Sequence, residues 1–212
     1  MLRWASILSI WLLLTGCQSA YYSAMEKVGF EKRDILVDRV EDAKDAQEDA
    51  QQQFSSALER FSTLLQFDGG ELQSVYEDLK DQYDASEASA NKVSTRIDKV
   101  EDVAEALFDE WQDELEQYES EKLRRDSTVK LKDTRRRYQQ LITSMRRAES
   151  KMAPVLSALK DNVLYLKHNL NASAIGSLQG EFGSIKRDIN QLISEMNRAI
   201  SQSNDFIKSM QQ

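Results

Sequence analysis

The sequence predicts an all-α protein, an elongated antiparallel bundle or coiled coil of about four long helices. Three observations lead there. Apolar residues recur at alternating spacings of four and three along four separate tracts, and no stretch shows the strict alternation of a strand. Ala, Leu, Gln, Glu, Lys and Arg dominate, with one proline and seven glycines in 212 residues, which is the makeup of long helices. The breaks between tracts carry turn or capping residues.

The N-terminus stands apart from these tracts. Arg3 supplies a small positive region, and Trp4 to Leu14 is almost wholly apolar. That run is about eleven residues, against the roughly 20 needed to span a bilayer core. It reads as the apolar segment of an export signal rather than a transmembrane helix. Leu14-Thr15-Gly16-Cys17 follows and resembles the lipobox of bacterial lipoproteins. The resemblance implies a signal peptide of residues 1–16, cleavage before Cys17, and acylation of that cysteine. Cys17 is the single cysteine of the chain, so processing leaves no free thiol. That excludes a disulfide scaffold, a thiol nucleophile and a cysteine metal site. Several acyl chains, at ~0.8 kcal/mol per buried CH₂, make a lasting membrane anchor. Gln18 stands where an aspartate would favour inner-membrane retention, which points to the outer membrane with the protein facing the periplasm. Residues 17–28 are then a tether.

The first tract runs through Leu36, Val40, Ala43, Gln47, Ala50, Phe54, Ala57, Phe61 and Leu64, with Gln47 its one polar member. The second follows Leu72, Tyr76, Leu79, Tyr83, Ser86, Ala90, Val93, Ile97, Val100, Ala104, Leu107, Trp111, Glu114 and Tyr118. Leu131, Arg135, Tyr138, Ile142, Met145, Glu149, Met152, Leu156, Leu159, Val163, Leu166 and Leu170 make the third. The fourth is Ile175, Leu178, Phe182, Ile185, Ile189, Leu192, Met196, Ala199, Ser203, Phe206 and Met210. Seams of this period favour left-handed supercoiling. Each helix should be about 40 residues, or ~60 Å at 1.5 Å per residue.

Asp68-Gly69-Gly70 is a turn signal, so tracts one and two form a hairpin over residues 29–121. The seam lapses from Leu123 to Thr128, where Asp126, Ser127 or Thr128 is placed to cap a new helix. A second hairpin over residues 122–212 turns near 168–173, at His168-Asn169-Leu170-Asn171, with Asn171 or Ser173 capping the last helix. Pro154 sits within the third tract without breaking its phase and predicts a kink or a short interruption there.

Catalytic chemistry finds little to stand on. None of the glycines lies in a phosphate-cradling GxxxxGK[ST] loop. His168 is the only histidine, so neither an HExxH pair nor a triad with a histidine base can be assembled. Acidic residues at this density on helices are a solvated face. No enzyme, cofactor, metal or small-molecule substrate is expected. A net charge of −8, together with export, argues against nucleic acid as a partner.

Three features rise above this background. From Lys122 to Lys151 eleven basic side chains against three acidic ones leave the tract at +8. Arg124, Arg125, Arg135, Arg136, Arg137, Arg146 and Arg147 are its arginines, candidates for anionic lipid headgroups, lipopolysaccharide or an acidic partner. The blander expectation is that the tract pairs with the acidic helices before it, through residues such as Asp38, Glu41, Asp42, Asp45, Glu48 and Asp49. The second feature, Lys167, His168, Asn169 and Asn171, is either a helix cap or an interaction tract. Gly176, Gly180 and Gly183 with Ala172 form the third, a small-residue strip whose cost, about 1 kcal/mol per glycine, implies close approach of another helix.

Several stretches together resemble a bacterial family of helical proteins catalogued as domain of unknown function 2959. They are Gly29 to Leu36 with Val40-Glu41-Asp42-Ala43, then Met145 to Met152, then Leu164 to Ala172 running on to Ser177-Leu178-Gln179-Gly180-Glu181. The resemblance covers nearly all of the mature chain and implies no activity. Labels suggesting a DNA-repair ATPase attach to such coiled-coil sequences, and the missing P-loop speaks against one here. The expectation is a membrane-anchored, periplasm-facing scaffold that presents helix faces to an envelope protein or to another copy of itself. The alternative is a peripheral lipid-binding module using residues 122–151.

Overall fold

The computed structural model describes residues 31–66, 72–169 and 172–211. Cys17, the lipobox, the tether, the Asp68-Gly69-Gly70 turn, and Leu170 and Asn171 lie outside the described residues. Four α-helices account for nearly all of what is described: α1 (Lys32–Leu64), α2 (Leu72–Leu115), α3 (Glu121–His168) and α4 (Ala172–Met210). They span 33, 44, 48 and 39 residues. Helix α1 packs on α2 and α4, and α3 packs on the same two, so α1 and α3 face each other across a diagonal. The two hairpins close into one four-helix bundle.

The seams form its core. All nine seam positions of the first tract are buried, from Leu36 to Leu64. Alanines at 43, 46, 50 and 57 let the neighbours of α1 come close, and Phe54 and Phe61 fill the wider gaps. Phe61 stacks on Phe182 of α4, with ring centroids 5.7 Å apart. Along α4, Ile185, Ile189, Leu192, Met196 and Ala199 are buried in the same way. Further residues join the core from beside the seams: Ile35, Ala46, Val103, Phe108, Leu141, Ala148, Val155 and Ile207. Each helix of a square bundle faces two neighbours, so its apolar stripe is wider than a two-stranded seam.

The second break falls earlier than the lapse of the seam predicts. Helix α2 ends at Leu115 and α3 starts at Glu121, capped by Ser120, whose Oγ accepts from the Leu123 backbone N–H at 3.4 Å. Asp126, Ser127 and Thr128 therefore lie inside α3, and none of them caps it. A helix needs no apolar seam to continue when its turns are charged and capped. Ser173 is likewise inside α4, not at its cap. Helix α3 runs through Pro154 without interruption. Pro154 and Ser150, whose carbonyl loses its ladder partner to the ring, are on the exposed side, while Met152 and Val155 stay in the core.

The glycine strip finds no neighbouring helix. A Cβ added at Gly176 or Gly180 would meet nothing within 4 Å, and one at Gly183 only the Arg187 side chain at 3.7 Å. The expected close approach is absent among the described residues, and all three glycines are exposed. Replacing Gly176 and Gly180 with Ala is expected to stabilise the chain by about 0.5–1 kcal/mol each, read from thermal or urea unfolding.

Polar groups in the core are served by their own helices, with one exception. Ser86 Oγ donates to the Gln82 carbonyl at 2.7 Å, Ser203 Oγ to the Ala199 carbonyl at 2.8 Å, and Asn162 Nδ2 to the Ala158 carbonyl at 2.6 Å. Gln47 is fully buried, and neither Oε1 nor Nε2 has a hydrogen-bond partner among the described residues. Gln47→Met keeps the volume and removes the amide. It is expected to raise the unfolding free energy by about 1–3 kcal/mol. A urea midpoint that falls instead would show that the amide has a partner worth keeping.

Candidate functional site

The basic tract does not act as one surface. Helix geometry deals its arginines to different faces of α3, and their neighbours decide what each can do. On the side toward α2, Arg146 is a hub. Its Nε and Nη2 hold both carboxylate oxygens of Glu101, its Nη2 also reaches Asp98 at 2.6 Å, and its Nη1 reaches Glu149 at 2.8 Å. With only 34% of its side chain exposed, this guanidinium is held firmly charged, first through the Glu101 hydrogen bonds. Glu149 shares this hub, which explains a carboxylate at a seam position. Tyr138 lies one turn or so away, its phenol pushed up to about 12 by burial and then by the charge of Glu101.

Arg135 also turns to α2. Its Nη2 donates to the Phe108 carbonyl at 3.0 Å, and its guanidinium lies 5.4 Å from the centre of the Phe108 ring. Phe108 in turn meets Tyr138 edge-on, with centroids 5.3 Å apart. Arg124 pairs with Glu121 at 2.9 Å, and Arg125 Nε donates to the Glu121 carbonyl at 3.3 Å, both within the first turns of α3.

The acids of α1 have other partners. Asp42 pairs with Arg96 of α2 at 2.8 Å and Asp49 with Lys92 at 2.8 Å. The expected pairing of the basic tract with an acidic helix before it is therefore met at Arg146 by α2, and not by the acids of α1. Helices α1 and α3 sit on the diagonal, and the acids that meet α3 are Asp98 and Glu101 of α2.

On the opposite flank, Arg136 and Arg147 face α4 and line a shallow groove of about 740 Å³. Gln139, Gln140, Thr143 and Ser144 of α3 and Arg198 and Gln202 of α4 complete the lining. No carboxylate is among these lining residues. Among the described residues, Arg136 and Arg198 have ion-pair partners only on their own helices, the exposed Asp133 at 3.0 Å and the largely buried Glu195 at 3.1 Å. Arg147 has no ion-pair partner among the described residues. A smaller hollow of about 360 Å³ next to it brings Arg137 and Gln140 together with Asp205, Lys208 and Ser209 of α4. The groove offers three guanidinium groups and five hydroxyl- or amide-bearing side chains along one face, which suits carboxylates or phosphates. The contribution of α4 was not legible from the sequence, because Arg198 and Gln202 lie sixty residues along the chain from the tract they join. Their only signal is that both flank the fourth seam.

The tract around the third break resolves into a cap. Asn169 closes α3, its N–H donating to the Leu166 carbonyl at 3.0 Å and its Nδ2 to the Tyr165 carbonyl at 2.9 Å. Lys167 and His168 are exposed in the last turn, where positive charge suits the helix dipole. Asn171 lies outside the described residues. Among the described residues, no group of three or more His, Cys, Asp or Glu is placed to hold a metal ion, and no helix is long and apolar enough to cross a membrane.

These features define a helical-bundle protein with a donor-rich groove on one face. Its sequence matches the family described as "Protein of unknown function (DUF2959)" over residues 21–210, and the chain belongs to that family. No curated protein and no solved structure matches it.

Removing the hub would leave three carboxylates crowded without their shared cation. Arg146→Gln is expected to destabilise the bundle by about 1–3 kcal/mol in urea unfolding. A cycle with Glu101→Gln should return a coupling of roughly 0.5–3 kcal/mol. Additive effects of the two substitutions would show that the hub is only geometry.

Proposed function

We propose that this chain is a membrane-anchored, periplasm-facing scaffold, tethered to the cell envelope through acylated Cys17, whose interaction surface is the α3–α4 groove. The single observation that carries this reading is the groove itself, with Arg136, Arg147 and Arg198 gathered on a face that contains no lining carboxylate. In a chain of net charge −8, such a face needs a reason. Its occupant in this reading is an acidic segment of another envelope protein. The chain is a non-enzyme in this reading and binds neither nucleic acid nor a cofactor. The lipobox and the Gln18 that follows it support the anchor and the outer-membrane location.

A second reading, binding of anionic headgroups or lipopolysaccharide, shares the same arginines. The acidic protein is favoured by position. Arg136 is fifteen residues into α3 and Arg147 twenty-six, which puts them about 20–40 Å from the end where α1 begins. Screening extends over only about 8 Å at physiological ionic strength. A bundle standing on its tether holds the groove beyond reach of the membrane that anchors it.

Photo-crosslinking in cells with probes at Gln140 and Thr143 tests the choice. The expected result is a recurrent adduct with one envelope protein, reduced at least tenfold when Arg136, Arg147 and Arg198 are all replaced by Ser. The unfolding free energy should stay within about 0.5 kcal/mol, as for other exposed substitutions. Adducts with lipid alone, together with salt-sensitive flotation of the chain on anionic liposomes, would replace this reading with the second.

A further inference from the structure

At the end of the bundle where α1 begins and α4 finishes, the four helices leave an open cleft of about 810 Å³. Its walls come from the start of α1, the end of α2, the first turns of α3 and Met210 of α4. Charged side chains of both signs, among them Glu110, Glu114, Asp126 and Lys130, share the lining with an apolar floor: Leu107 and Met210 are buried, and Trp111 is half-buried with its indole N–H donating to Ser127 Oγ at 2.8 Å. Around it stand Tyr118, Leu123 and Val129, exposed by 38%, 55% and 61%. Large apolar side chains this open, gathered round one hollow, mark a surface that something covers.

We propose that the cleft seats the ten residues that lead into it, Tyr21 to Phe30. Continuity of the chain places them there. Glu31 is itself part of the cleft wall, and its backbone is extended (φ −74°, ψ 144°), so α1 begins at the mouth of the hollow. Their composition fits an apolar floor. Tyr21, Tyr22, Met25, Val28 and Phe30 make half of the segment, and Tyr21, Met25 and Val28 share the four-three spacing of a single helix face. Methionine and aromatic rings suit an irregular site built round an indole. The family match begins at residue 21 and so takes in these residues. Ten residues reach at most about 35 Å, enough to cross the end of a four-helix bundle. Only three residues lie between Cys17 and Tyr21, about 14 Å from one to the other at full extension. Seating the segment would hold this end of the bundle against whatever surface Cys17 is fixed to. What was expected to be a free tether becomes a strut.

Trp111 reports on the cleft directly. With Trp4 and Trp11 replaced by Phe, it is the only indole of the full chain. Substituting Met25, Val28 and Phe30 together with Ser should shift its emission to the red and raise acrylamide quenching at least twofold, with far-UV helicity unchanged. Cysteine trapping gives the independent check, in the full chain with Cys17→Ser. Val28→Cys should form an intramolecular disulfide with Leu123→Cys or Val129→Cys. It should form none with Leu164→Cys, an exposed position at the opposite end of α3. Disulfides only between chains would overturn the proposal in favour of a second copy in the cleft. Unchanged Trp111 emission with no trapping would overturn it altogether.

Discussion

The bundle depends on the simultaneous burial of four apolar seams, none of which can be satisfied by its own hairpin alone. A helix of this composition is rich in charged and polar residues, so its stability in isolation is marginal. Pairing α1 with α2 covers one flank of each seam and leaves the other open. The second hairpin closes both. This explains why residues outside the strict four-three spacing, such as Phe108, Leu141 and Val155, are as deeply buried as the seam itself. It also explains how Pro154 is accommodated: the seam on either side of it remains packed, and the lost backbone bond falls on the exposed face.

Charge arranges what apolar burial leaves undetermined. Lys32 with Glu110, Asp42 with Arg96 and Asp49 with Lys92 join α1 to α2, and the Arg146 hub joins α2 to α3. The exposed pairs contribute little energy each, yet opposite charges at matched heights penalise a slipped register. Arg146 differs because one guanidinium serves three carboxylates in a partly shielded place. Gln47 is the odd member of the core: the other seam positions of α1 are apolar, and its amide makes no bond among the described residues that would reward its burial. A lone polar side chain in a seam can fix register at a cost in stability.

The two open features of the molecule are of different kinds. The α3–α4 groove is polar and basic, and its arginines are restrained only by neighbours on their own helices. The end cleft sets an apolar floor among charged side chains of both signs and lies where α1 begins. Membership in the family names no activity, so the chemistry of these two surfaces is what distinguishes one functional reading from another.

Sequence by itself determined the helices, nearly all of the core and the family. Residues a few places apart on one helix share a face whatever the helix packs on, and the seam from Leu36 to Leu64 is buried without exception. It misjudged the start of α3, because the lapse of an apolar pattern marks where a neighbour is missing, not where a helix ends. Tertiary structure alone decided the partners. Which acids meet the basic tract depends on which helix lies beside α3, and a square arrangement puts α1 across the diagonal. That Arg198 joins Arg136 and Arg147, that Arg135 is occupied with Phe108, and that the glycines of α4 face open space are all consequences of which faces the packing brought together. Periodicity fixes a residue's angle about its own helix; only packing fixes what stands opposite it.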